Sequence, residues 1–182
     1  MARKLWMGRK QNHFVGAEDR KAADRKLTLP DSLRIVLLHP RIPQNTGSIA
    51  RLCAATGSRL ELIRPLFEID DKKLQRAGLD YWHLLDVQVF SSLDEWLEKN
   101  PNCQPWLVEN TGRLNYSQAK FSKSDVLMFG DEQDGIPDSL LEKFPTRGLR
   151  IPQQNVRSMN LAMCVGIVTF EALRQLDFLS LQ

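Results

Sequence analysis

Three short stretches carry side chains whose types and spacing could do chemistry together. They are Asn45-x-Gly47-x-x-x-Arg51, Gly130-x-Glu132-x-x-Gly135-Ile-Pro137, and Ile151-Pro152 followed by Ser158-x-Asn160-Leu161. Arg51 offers a planar guanidinium fork that grips phosphate oxygens bidentately, where a lysine supplies only a point charge. The glycines around Glu132 permit tight turns that leave backbone N–H and C=O groups open to a closely approaching ligand. Ser158 and Asn160 bring short polar side chains to a helix start, where they cap the helix or meet a ligand. Each residue also has a plainer use on its own: a turn at Asn45 and Gly47, a surface charge at Arg51, solvated acids in a glycine turn around Glu132, a cap at Ser158 or Asn160.

Several other chemistries are disfavoured. The 130–135 pattern lacks the middle glycine of a dinucleotide fingerprint, and Pro137 stands where that helix would be running. A P-loop is absent as well. His13, His39 and His83 are scattered, and Cys53, Cys103 and Cys164 are odd in number without Cys-x-x-Cys spacing. We expect no metal site and a reducing compartment.

These stretches need elements to position them. Arg34–Leu38, Arg59–Ile63, Val87–Phe90, Trp106–Glu109, Asp125–Gly130 and Leu149–Ile151 read as short apolar strands. Between them, helical spacing runs from about Thr46 to Thr56 with Gly57 as a stop, and from a short patch opened by Asp70 and Asp71 to Gly78. Ser92-Leu-Asp-Glu95 has the form of a capping box, and Pro137 begins another short helix. A last helix spans about Asn160 to Leu176; its start, Leu161-Ala-Met-Cys-Val-Gly-Ile-Val168, is apolar on every side and reads as a buried helix. Strands alternating with helices predict an α/β domain, a mostly parallel sheet with helices on both faces. Ligands of such sheets sit beyond the carboxyl ends of the strands, where all three stretches lie.

In this order and spacing, the three stretches resemble the motifs of the SPOUT methyltransferases, in the SpoU branch that methylates ribose 2′-hydroxyls of RNA. The resemblance covers about residues 33 to 177. A further patch, Asp70-Asp-Lys-Lys-Leu-Gln-Arg-Ala-Gly-Leu-Asp-Tyr81, looks like the TrmL-type enzymes, which act on the wobble cytidine or uridine, position 34 of the tRNA anticodon loop. The resemblance implies a C-terminal trefoil knot, S-adenosyl-L-methionine as cofactor, and a homodimer whose partner helps complete the site. Carried over by position, Val108, Gly130, Ile151 and Ser158 would bind the cofactor, with Met159, Asn160 and Leu161 beside it. Arg51 matches the catalytic arginine, and Asn45 and Glu132 match active-site residues. Three departures stand out: Asp131 replaces the usual Pro or Ser, Ala162 replaces a Ser, and the loop before Arg157 is one residue shorter. Rival readings are a SpoU-type enzyme for another tRNA site or rRNA, and a non-catalytic RNA-binding dimer.

The 182 residues, 42% of them hydrophobic, suffice for one well-buried domain. No apolar run approaches the roughly 18–20 residues of a membrane span. The net charge of +3 is uneven: residues 1–30 hold eight Lys or Arg against three acids, leaving 17 basic and 19 acidic residues in the remainder. Residues 1–31 are therefore expected to be a basic, poorly ordered extension, and residues 32–182 the methyltransferase domain. The extension could serve as an RNA-binding arm or an organellar presequence. Its acids and lack of Ser favour a cytoplasmic protein.

Overall fold

A computed structural model of the chain describes residues 32–68 and 85–178. The expected helix after Asp70 and the Asp70–Tyr81 patch lie outside the described residues, as does the basic extension. Seven strands, β1 (Arg34–Leu38), β2 (Arg59–Ile63), β3 (Val87–Phe90), β4 (Trp106–Val108), β5 (Leu114–Asn115), β6 (Val126–Phe129) and β7 (Gly148–Arg150), form one sheet in the order β3-β2-β1-β6-β4-β7-β5. Every ladder in it is parallel. Alternation of side chains along each strand splits the core into two layers. Ile35, Leu37, Leu60, Leu62, Leu127 and Phe129 face α1 (Pro43–Thr56) and α4 (Leu161–Gln175). Val36, Leu38, Ile63, Val126 and Met128 face the other way, toward α2 (Leu93–Lys99) and α3 (Asp138–Lys143). The sheet is thus covered on both faces, which is why its strands read as unbroken apolar runs.

One charge sits inside this core. Glu61 on β2 is fully buried, and its carboxylate accepts from Arg34 Nε and Nη2 at 2.7 and 2.9 Å and from Trp96 Nε1 at 2.6 Å. A buried ion is tolerable only when paired and hydrogen-bonded in this way.

Three local expectations change. α1 begins at Pro43 rather than Thr46, because proline suits the first turn, where no N–H partner exists anyway. The capping box at α2 is shifted: Ser92 Oγ accepts from Glu95 N–H at 3.1 Å, but Glu95 reaches back to the N–H and hydroxyl of Ser91. Helix α4 is not buried all round. Leu161, Val165, Val168 and Ala172 point inward, while Met163 and Phe170 are 60% and 47% exposed on the opposite face. An all-apolar helix here means one face on the chain's own core and a second apolar face left open.

β5 has no counterpart in the sequence reading. It is two residues long, and β7 lies between it and β4 although only Glu109–Arg113 join the two. That five-residue connection must cross β7 at close range. Gly112 makes the crossing: a Cβ there would stand 2.3 Å from the Leu149 carbonyl carbon. A late strand inserted beneath an earlier short connection breaks the usual rule against threaded loops, and is consistent with the knot the SPOUT resemblance implies.

Candidate active site

The carboxyl ends of β1, β6, β4 and β7 open into a cleft of about 620 Å³, inside the roughly 300–1,000 Å³ typical of small-molecule sites. All the residues expected at the cofactor line it: Val108 at the end of β4, Gly130 after β6, Ile151 after β7, and Ser158, Met159, Asn160 and Leu161 at the entry to α4. Asn45 and Glu132 line it too.

One hydrogen-bonded chain joins the three motifs across this cleft. Asn160 caps α4, its Oδ1 accepting from the N–H groups of Ala162 at 2.9 Å and Met163 at 3.3 Å. Its amide nitrogen donates to Asn45 Oδ1 at 2.9 Å, and Asn45 Nδ2 donates to Glu132 Oε1 at 2.9 Å. The Glu132 carboxylate also accepts from the N–H groups of Arg41 (3.0 Å) and Ile42 (3.3 Å). An acid holding three donors ties the two loops together. Of the two candidate caps, Asn160 does the capping; Ser158 stays exposed at the cleft.

The loop after β6 is closed by its glycines. Gly135 adopts φ 69°, and a Cβ on it would stand 2.3 Å from Glu109 Oε2. That same oxygen accepts the Ile136 N–H at 2.9 Å. A Cβ on Gly130 would run into the Gly135 carbonyl. Not all the acids of this loop are solvated as a simple surface turn would have them. The Asp131 side chain is 5% exposed, and its Oδ1 accepts from Gln133 and Asp134 N–H at 2.7 Å each. Burial alone would raise the Asp131 carboxyl; the bonds from Asp134 N–H, Arg41 and Gln133 N–H outweigh it and hold the group below the usual carboxylate range. The residue that departs from the motif therefore has a local role, as a loop brace.

The loop between β7 and α4 is anchored from the other side. Asn110 Nδ2 donates to the Arg157 carbonyl at 2.9 Å, Asn110 Oδ1 accepts from Gln153 Nε2, and the Arg157 guanidinium reaches the Gln133 carbonyl at 3.5 Å. Among the described residues, four carboxylates line the cleft, those of Glu109, Asp131, Glu132 and Asp134, against one guanidinium, Arg157. Such a field favours a ligand carrying positive charge.

Arg51 is the one expected site residue that the cleft does not gather. It is exposed on α1, on the stripe of Gln44, Ser48 and Ala55, whereas Asn45 is buried. Six residues of helix carry it roughly 9 Å along the axis and on to another face. Arg41 and Glu109 were missed by sequence reasoning. For Arg41 a signal existed, since three acids within Asp131–Asp134 call for a nearby cation.

The SpoU rRNA Methylase family model matches residues 32–170. The chain belongs to that family. It is similar, at 44% identity over 149 residues, to an Aeromonas hydrophila protein named tRNA (cytidine(34)-2′-O)-methyltransferase, the match covering 80% of this chain and 96% of that one. A solved structure described as giving insight into 2-OH methylation of C/U34 on tRNA is 41% identical, with a TM-score of 0.77, over 82% of this chain and 99% of that one. An AdoMet-bound rRNA methyltransferase from Sinorhizobium meliloti superposes with a TM-score of 0.74 at 26% identity, over 82% of this chain and 58% of the longer one. The architecture of this SpoU methylase, an α/β parallel sheet with helices on both faces, is that of its relatives.

Proposed function

We propose that this chain is an S-adenosylmethionine-dependent tRNA 2′-O-methyltransferase acting on the wobble nucleotide, cytidine or uridine 34, of the anticodon loop, in the cytoplasm. The observation that carries the reading is the union of Asn45, Glu132 and Asn160 at one cleft. The relatives named for position 34 narrow the substrate.

The residues present fit the cofactor. The cleft has its size, the glycine pair at 130 and 135 leaves backbone in reach, and the acidic lining offsets a sulfonium charge. Val108, Gly130, Ile151, Ser158, Met159, Asn160 and Leu161 would hold it. When bound, S-adenosylmethionine supplies an electrophilic methyl group on sulfur. Alignment of the ribose 2′-oxygen with that group accounts for much of the rate, since good orientation is worth roughly 7–11 kcal/mol. Asn45, tied to Glu132 and Asn160, fixes the loops that set this alignment. Arg51 holds the neighbouring phosphate and polarises the 2′-oxygen. Its guanidinium carries donors and no acceptor, so its part is to hold and polarise rather than to take the proton. A wobble nucleotide is already single-stranded, so presenting it costs little unstacking.

The position of Arg51 outside its own cleft supports a homodimer in which the arginine of one copy serves the cleft of the other. The open apolar face of α4, Met163 and Phe170, is the seam we assign to it. Incubation with tRNA and labelled cofactor, followed by nucleoside mass spectrometry, tests the whole reading. The expected product is 2′-O-methylcytidine or 2′-O-methyluridine at position 34. Label at another tRNA position, or in rRNA alone, would overturn the wobble assignment.

A further inference from the structure

Asp131, Glu132 and Asp134 crowd three carboxylates into four positions at the mouth of the cleft, and such a loop should spring open by mutual repulsion. Arg41, from the β1–α1 loop some 90 positions earlier, meets all three. Its Nη2 bonds Asp131 Oδ2 at 3.2 Å and Asp134 Oδ2 at 2.6 Å, and its backbone N–H donates to Glu132 Oε2 at 3.0 Å. The two pairs differ in setting: the Asp131 side chain is 5% exposed and that of Asp134 75%. The Asp131 pair is therefore shielded from salt, and the Asp134 pair guards the rim. Arg41 does not itself line the cleft, although Ile42 beside it does.

We propose that Arg41 is a positioning residue for the methyl transfer, a charged clamp that keeps the Gly130–Gly135 loop against the β1–α1 loop before any ligand arrives. Through that loop it holds the backbone of Gly130 and the Glu132–Asn45 bond in register. A site preorganised in this way binds more tightly, because little ordering remains to be done on binding. The inference rests on the cofactor reading of the cleft. Two carboxylates already engage the guanidinium, which sets it apart from arginines exposed for an RNA phosphate.

Calorimetric titration of S-adenosylmethionine into the full-length chain tests the clamp, with steady-state kinetics beside it. Arg41→Ala should raise the Kd about tenfold and raise KM for the cofactor, with kcat at saturation close to wild type. Arg41→Lys should recover part of the affinity, since a point charge still pairs with the acids. The reversal Arg41→Asp with Asp134→Arg should recover part of what Arg41→Asp alone loses, which a fold merely damaged at position 41 would not. Wild-type affinity in Arg41→Ala would overturn the clamp and leave the cofactor reading standing. So would a loss confined to tRNA affinity, which would make Arg41 an RNA contact, or a reversal that rescues nothing. Failure of the wild-type chain to bind S-adenosylmethionine would overturn both readings.

Discussion

Replacing Gly135 by alanine asks a backbone at φ 69° to carry a Cβ 2.3 Å from Glu109 Oε2. The left-handed strain costs about 1–3 kcal/mol, and the carboxylate that receives the Ile136 N–H must move. Gly135→Ala should therefore lower the thermal midpoint and abolish measurable cofactor binding; an unchanged titration curve would mean the loop is not part of that pocket. Arg51 tests the opposite kind of dependence. It does not line its own cleft, so Arg51→Lys should leave the cofactor Kd untouched. Turnover should fall by an order of magnitude or more, about the worth of losing a bidentate phosphate contact. Near-wild-type kcat in that variant would rule out the fork. At this scale the sequence was generous with identities and silent on partners. Asn45, Glu132 and Asn160 could be named from motif spacing, but bonds spanning 87 and 115 positions exist only in the fold. Asp131 looked like an added negative charge; only its burial and its two N–H donors make it a brace.

Among the elements, α4 concentrates the most function in the fewest residues. Its cap, Asn160, satisfies two helix N–H groups with one atom and reaches Asn45 with another. Asn160→Ala should cost about 1 kcal/mol for the cap and about as much again for leaving Asn45 Oδ1 unpaired. That corresponds to a fall in Tm of about 4–8 °C for a chain of this size. Asn160→Asp retains the cap but sets a carboxylate against the Asn45 oxygen, so it should recover at most the cap's share of Tm while cofactor affinity stays low. Equal recovery of both in a thermal-shift and titration pair would show the Asn45 bond to be idle. The element boundaries were legible where apolar periodicity is long: α4 was expected from about Asn160 to Leu176 and spans Leu161–Gln175. β5 was not, because a two-residue strand has no period, and its pairing is created by β7 arriving beside it.

For the molecule as a whole, the apolar stripe of Met163 and Phe170 is the place to test the proposed homodimer. Phe170→Asp should leave the monomer folded, shift sedimentation toward half the mass, and remove methyl transfer, because Arg51 then has no second cleft to serve. A monomer with full activity would dismiss the shared site. The expectation for basic residues 3–26 belongs to this scale too. Removing residues 1–30 should weaken tRNA binding and flatten its dependence on salt, as expected when phosphate-neutralising charges are lost, with cofactor affinity unchanged. An identical salt slope would exclude the arm. Charge asymmetry in the sequence allowed that expectation. The overlap of β7 with the Glu109–Arg113 connection was beyond it, since periodicity reports which face is apolar and never which strand passes under which loop.

That overlap sets an order of events during synthesis. Val108, Gly130 and the β1–α1 loop leave the ribosome early, but Ile151, Ser158 and Asn160 follow β7 and reach the cleft only once that strand lies between β4 and β5. A nascent chain that has finished its first six strands has half a pocket and no capped α4. The cleft is complete only once its final segment, from β7 through Asn160, is released and paired.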